Sequence, residues 1–140
     1  MVVNDQVSEQ NQTTYVLVHG AWHGSWSWKR VRKKLQDAGH RVFTPTLTGL
    51  GERSHLNSPA VSLSTHIADV VNLLRWEELS DVVLCGHSYG GSVITGVADR
   101  IPERIRSQVY LDAFVRRMAS AFLTSTRQST PNTCACRPKR

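Results

Sequence analysis

The sequence predicts an α/β fold in which a parallel sheet carries helices on its faces. Two observations carry that prediction. Four short runs of strand-like composition, TYVLVHG (Thr14 to Gly20), RVFTPTL (Arg41 to Leu47), DVVLCG (Asp81 to Gly86) and IRSQVYLDAF (Ile105 to Phe114), alternate with stretches of helical spacing. Strands separated by helices are joined by right-handed crossovers, which make them parallel. The second observation is length. The 140 residues suffice for one domain with a workable core, whereas large α/β enzymes commonly run to roughly 200–250 residues. Four strands are recognisable, and the chain is short for an enzyme of that kind.

Between the first two strands, Trp28, Val31, Leu35 and Ala38 recur at spacings of three and four. They predict an amphipathic helix that ends at Gly39, with Lys29, Arg30, Lys33 and Lys34 on its solvated face. Before the third strand, Ile67, Val70, Val71 and Leu74 trace another apolar stripe, with Ser64 or Thr65 as the expected cap. A third helix presents Val93, Ile94, Val97 and Ile101 and stops at Pro102. The polar stretch TGLGERSHLNSPAVSL, from Thr48 to Leu63, reads as a long functional or mobile loop.

The chain divides into a flexible N-terminus (1–13), a folded body (14–115) and a basic, disordered tail (116–140). Its net charge of +6 belongs to the tail: all 11 acids precede residue 116, whereas Arg116, Arg117, Arg127, Arg137, Lys139 and Arg140 follow. A neutral body with a basic tail argues against nucleic acid as a partner. The N-terminus lacks the cationic start and apolar run of a signal peptide, and no window has membrane-span hydropathy, so a cytoplasmic, membrane-free protein is expected. Of the 3 cysteines, Cys85 fits a buried strand position; Cys134 and Cys136 have no histidine after them to complete a metal site.

The chemistry-bearing motif lies in DVVLCGHSYGGSVITG, where Gly86, Ser88 and Gly90 fit G-x-S-x-G. A strand precedes it and an apolar-striped helix follows. That context defines a nucleophile elbow, a sharp turn that exposes the serine and needs small residues where backbones approach. The helix starting near Tyr89 directs its amides and positive dipole end at the site. A second element, LVHGAWHGSWSW, follows the first strand. If the second and third strands flank the first, the HG turn and the serine meet at the topological switch point. The amides of Ala21 and Tyr89 are then the natural oxyanion donors.

Taken together, HGAW after the first strand, TGLGER after the second, GHSYGG after the third and YLDAF at the fourth resemble the α/β-hydrolase superfamily. The resemblance is to its branch of small esterases related to plant methylesterases and hydroxynitrile lyases, and it covers about Tyr15 to Val115. It implies the strand order second, first, third, fourth, in an α/β-hydrolase fold truncated after the fourth recognisable strand, with only the family's N-terminal half present. It also implies Ser88 as nucleophile toward a small-molecule ester, hydrolysed through an acyl-enzyme with no cofactor and no metal.

Other residues carry structural expectations. Trp22, Trp26 and Trp28 have two readings, lining an acyl or aromatic pocket and packing, of which packing is expected; His19, beside Gly20, is expected to shape the oxyanion loop by hydrogen bonding. His87 adjoins Ser88 but should project elsewhere. His23 and His55 lie in loops that can face the site, while His40 and His66 read as helix-end or surface residues. The resembling family places acid and histidine after the serine. Here all 6 histidines, from His19 to His87, precede Ser88. Of the later acids, Asp112 at the fourth strand's end is a weak triad candidate.

The missing base leaves a serine esterase impaired in this chain as the first reading; a non-catalytic small-molecule-binding module or an inactive fragment is the alternative. Val109 and Leu111 would lie on an unprotected edge strand, which predicts self-association. The acid-free tail suggests a frameshift: deleting one base after the Val115 codon can convert a Pro-Glu-Asp-Gly-Glu-Arg continuation into the Arg-Arg-Met-Ala-Ser-Ala found here. A gene whose alternative frame encoded no further strands and no histidine would refute it.

Overall fold

The computed structural model describes residues 12–115. Most of the N-terminal segment and the whole 116–140 tail, with Cys134 and Cys136, lie outside the described residues. Strands β1 (Thr14–Val18), β2 (Arg41–Phe43), β3 (Val82–His87) and β4 (Ile105–Leu111) form one sheet in the order β2-β1-β3-β4. Every pairing is parallel, as the alternation with helices requires. Tyr15 pairs with Val42 on one side and Val83 on the other, which puts β1 and β3 at the centre.

Helices α2 (Leu63–Trp76) and α3 (Gly90–Arg100) cover one face of the sheet, and α1 (Lys29–Asp37) lies on the other. The α2/α3 side holds the main core. Val16 and Val18 of β1, Leu84 of β3, Ile67, Val70 and Leu74 of α2, and Val93, Ile94 and Val97 of α3 are each at most 2% exposed. Both predicted stripes are thus buried. The α1 side is thinner: Leu17, Trp28 and Cys85 form a small cluster there, and no residue of α1 itself is buried. Val31 is 42% exposed, so the predicted α1 stripe is only half covered.

Several boundaries depart from the sequence reading. The second strand stops at Phe43 instead of Leu47, because Pro45 has no amide for a ladder and the Thr44 and Thr46 hydroxyls bond to Ser25. Ser62 is the α2 N-cap, not Ser64 or Thr65; its amide donates to the Thr65 hydroxyl three residues on. The stretch after Thr48 is less irregular than expected, since Gly51–Leu56 forms a 3-10 helix. His66, expected at a helix end or surface, does sit in the first turns of α2 but is only 7% exposed. Its place four residues before Val70 puts it on the buried stripe.

Candidate active site

The end of β3 delivers Ser88 into a strained turn. Its φ is 51°, a left-handed value that a residue with a side chain rarely adopts. Three bonds hold it there: the Ser88 amide donates to the Leu111 carbonyl, and the Gly91 and Phe114 amides donate to the Ser88 carbonyl. Close packing explains the flanking glycines. A methyl on Gly86 would lie 2.6 Å from the Gly90 carbonyl oxygen, and one on Gly90 would lie 2.6 Å from that of Val18. The strand and helix on either side of the serine therefore pass in backbone contact. The α3 helix begins at Gly90, so its positive end faces the Ser88 turn.

The turn after β1 meets this elbow directly. A methyl on Gly20 would stand 3.2 Å from Cβ of Ser88 and 3.0 Å from Nδ1 of His87. Gly20, Ala21, Ser88 and Tyr89 thus lie at one place, at the C-terminal ends of the two central strands. Among the described residues, the amides of Ala21 and Tyr89 are bonded to no backbone acceptor.

His19 is fully buried, and its tautomer follows from its partners. The Leu47 amide donates to Nε2 at 3.0 Å, so Nδ1 carries the hydrogen and donates to the Gly20 carbonyl at 2.8 Å. Burial lowers its pKa from 6.5. Neutral His19 therefore contributes stability above about pH 6.5, and that contribution falls as acid protonates the unfolded chain first.

The other histidines differ in what they touch. His23 donates from Nδ1 to the Ala21 carbonyl at 2.7 Å. His87 turns to the α1 side, with its ring 6.4 Å from that of Trp28. His40 accepts from the Thr13 amide, and His55 is exposed. Among the described residues no histidine is hydrogen-bonded to Ser88. Asp112 follows β4 with φ 44°; it is exposed, and no described hydrogen bond or ion pair links it to a histidine.

Two grooves flank the elbow. One, of about 270 Å³ on the α1 side, is lined by His23, Ser27, Trp28, Val31, His87 and Leu111. The other, of about 430 Å³, is lined by Leu63, Tyr89, Ser92, Phe114 and Val115. Trp28 packs as expected, but Trp22 and Trp26 are 90% and 61% exposed, so packing does not account for them.

A polar network behind the site was not anticipated. The Tyr89 hydroxyl and Nδ1 of His66 are 2.8 Å apart, and Nε2 of His66 donates to the Thr48 carbonyl at 2.9 Å. The Thr48 amide and hydroxyl both donate to Asp69, which lies 3.8 Å from the Arg53 guanidinium. Arg53 donates to the Thr46 carbonyl, and the Thr46 hydroxyl to Glu52, whose carboxyl is held below its ordinary pKa mainly by that bond. The sequence signal was a histidine on an apolar helix stripe after the polar TGLGER run.

Comparison with known proteins agrees with this geometry. A model of the alpha/beta hydrolase family matches residues 15–133, running past Val115, where the motif resemblance ended. The chain is 55% identical over 117 residues to a carbendazim hydrolyzing esterase of Nocardioides sp., covering 84% of this chain and 48% of that protein. It is 35% identical over 104 residues to salicylic acid-binding protein 2 of Nicotiana tabacum, covering 72% and 39%. An extracellular alpha/beta-hydrolase from a Paenibacillus species superposes with a TM-score of 0.69 at 36% identity, over 74% of this chain and 42% of that one. The chain thus spans about half the length of these relatives or less. With the elbow, the turn beside it and the parallel sheet all in the positions its motifs imply, the chain belongs to the α/β-hydrolase family.

Proposed function

We propose that this chain carries the nucleophile and oxyanion half of a carboxylic ester hydrolase. The observation that carries the reading is Ser88 at φ 51°, in contact with the turn that presents Ala21. The Ser88 hydroxyl attacks the carbonyl of a small ester, passing its proton to a base. The amides of Ala21 and Tyr89 receive the developing oxyanion, helped by the positive end of α3. Collapse of the tetrahedral species releases the alcohol and leaves Ser88 acylated; water then frees the acid and restores the hydroxyl.

Every histidine of the 140 residues precedes Ser88, and none among the described residues is hydrogen-bonded to it, so this reading assigns the general base to no residue here. Residues 1–140 alone should accordingly show weak activity, on the order of the 10³-fold over water that oxyanion and binding contributions leave when a triad member is absent. The esterase name of the 55%-identical relative supports small esters as the substrate class.

Incubation with a fluorophosphonate probe and with a p-nitrophenyl ester, on wild type and Ser88→Ala, tests the reading. Slow labelling and turnover that vanish in Ser88→Ala are expected. Labelling or turnover indifferent to that substitution would refute it. A second reading, a non-catalytic small-molecule-binding module, is favoured by the engaged histidines and by the binding-protein name of one relative. It predicts saturable binding of an aromatic acid with no labelling of Ser88.

A further inference from the structure

The two proposed oxyanion donors belong to separate chain segments, the turn after β1 and the turn after β3. Both segments are tied to the same dipeptide in a third. The Leu47 amide holds His19, whose other nitrogen holds the Gly20 carbonyl one residue before Ala21. The Thr48 carbonyl holds His66, whose other nitrogen meets the Tyr89 hydroxyl. Because a carbonyl only accepts, Nε2 of His66 carries a hydrogen, and in the neutral ring Nδ1 accepts from Tyr89. The dipeptide is itself fixed: Leu47 is fully buried, and Thr48 makes two bonds to Asp69 on α2.

We infer that His66 and Tyr89 are positioning residues, through which Leu47–Thr48 acts as a splint that sets the relative tilt of the Ala21 and Tyr89 amides. The inference rests on the oxyanion role proposed above. Its physical basis is that amide donors stabilise an oxyanion only when held at the right distance from the reacting carbon, before the charge develops. Direct contact between Gly20 and Ser88 fixes how near the two segments come. The splint fixes their relative tilt, which contact alone leaves free. His19 and His66 form a pair of opposite tautomers, Nδ1–H in the first and Nε2–H in the second.

The test measures the Ser88-dependent fluorophosphonate labelling rate and the melting temperature for wild type, Tyr89→Phe, His66→Leu and the double variant. Lys33→Ala, on the solvated face of α1, serves as control. Tyr89→Phe removes one oxygen and should slow labelling about ten-fold, a fraction of the 10²–10³ lost with a whole oxyanion donor. His66→Leu should match it, and the double variant should be no slower than either single, because both break one link. His66→Gln keeps a donor and an acceptor and should recover part of the rate. Nitrogen-15 spectra of the imidazoles should show the two opposite tautomers. Variants that label at the wild-type rate, effects that multiply in the double variant, or a shared tautomer would overturn the inference while leaving the esterase reading intact. A wild type with no Ser88-dependent labelling would overturn the reading and the inference with it. If His66→Leu does not fold, Tyr89→Phe and the spectra still decide.

Discussion

The two faces of the sheet differ in how completely they are built. On the α2/α3 face, side chains from β1, β3, α2 and α3 interlock, and many are fully buried. On the α1 face, burial is confined to Leu17, Trp28 and Cys85. Val109 and Leu111 of β4 stay 43% and 49% exposed there, and the indole nitrogen of Trp28 is buried without a partner among the described residues. The Gly90 contact with β1 and the His66 network rest on the well-packed face, while the turn after β1 also meets His87 on the α1 side. The Tyr89 side of the proposed site is therefore anchored where the fold is most complete, and the Ala21 side adjoins the thinner face through His23 and His87.

The comparison can be broken most severely at the elbow. Gly90→Ala drives a methyl to 2.6 Å from the Val18 carbonyl oxygen, and the backbones cannot separate without pulling β1 from α3. A loss of about 4 kcal/mol or more is expected, seen as aggregation or loss of the cooperative thermal transition. A native-like melt would show that the junction is looser than described.

A paired substitution sharpens the contrast between faces. Leu84→Ala, at a position 0% exposed on the α2/α3 side, should cost about 4 kcal/mol, and Leu17→Ala, 2% exposed on the α1 side, about 2 kcal/mol. Urea titration of both measures the difference; equal costs would mean that the α1 side is as tightly packed as its opposite.

The smallest effect on stability is expected at the edge. Val109→Lys with Leu111→Lys should change unfolding free energy by only about 0.5 kcal/mol, yet charges on an open strand discourage pairing. Light scattering after gel filtration should show a larger monomer fraction than wild type. An unchanged distribution would argue that β4 is not a surface of self-association.

Much of this was legible in the chain. The α2 and α3 stripes and Gly39 at the end of α1 follow from local periodicity and turn chemistry. The strand order followed instead from motif resemblance. GHSYGG announced its turn because glycines at fixed spacing around a serine are hard to explain otherwise. His66 was misread because one histidine at a helix start has two meanings, a surface residue or a buried bridge. Thr48 was read as part of a loose loop because hydrogen bonds to distant Asp69 leave no local trace.

What the sequence determined by itself was the class of fold, the elbow and the identity of the nucleophile candidate, all of which depend on residues close in the chain. Tertiary structure alone decided which histidines are locked, in which tautomer, and that one dipeptide after β2 reaches both sides of Ser88. The physical reason is separation: His19 and Leu47, or His66 and Tyr89, are far apart in sequence, and only sheet order and helix packing bring their polar atoms within hydrogen-bond distance.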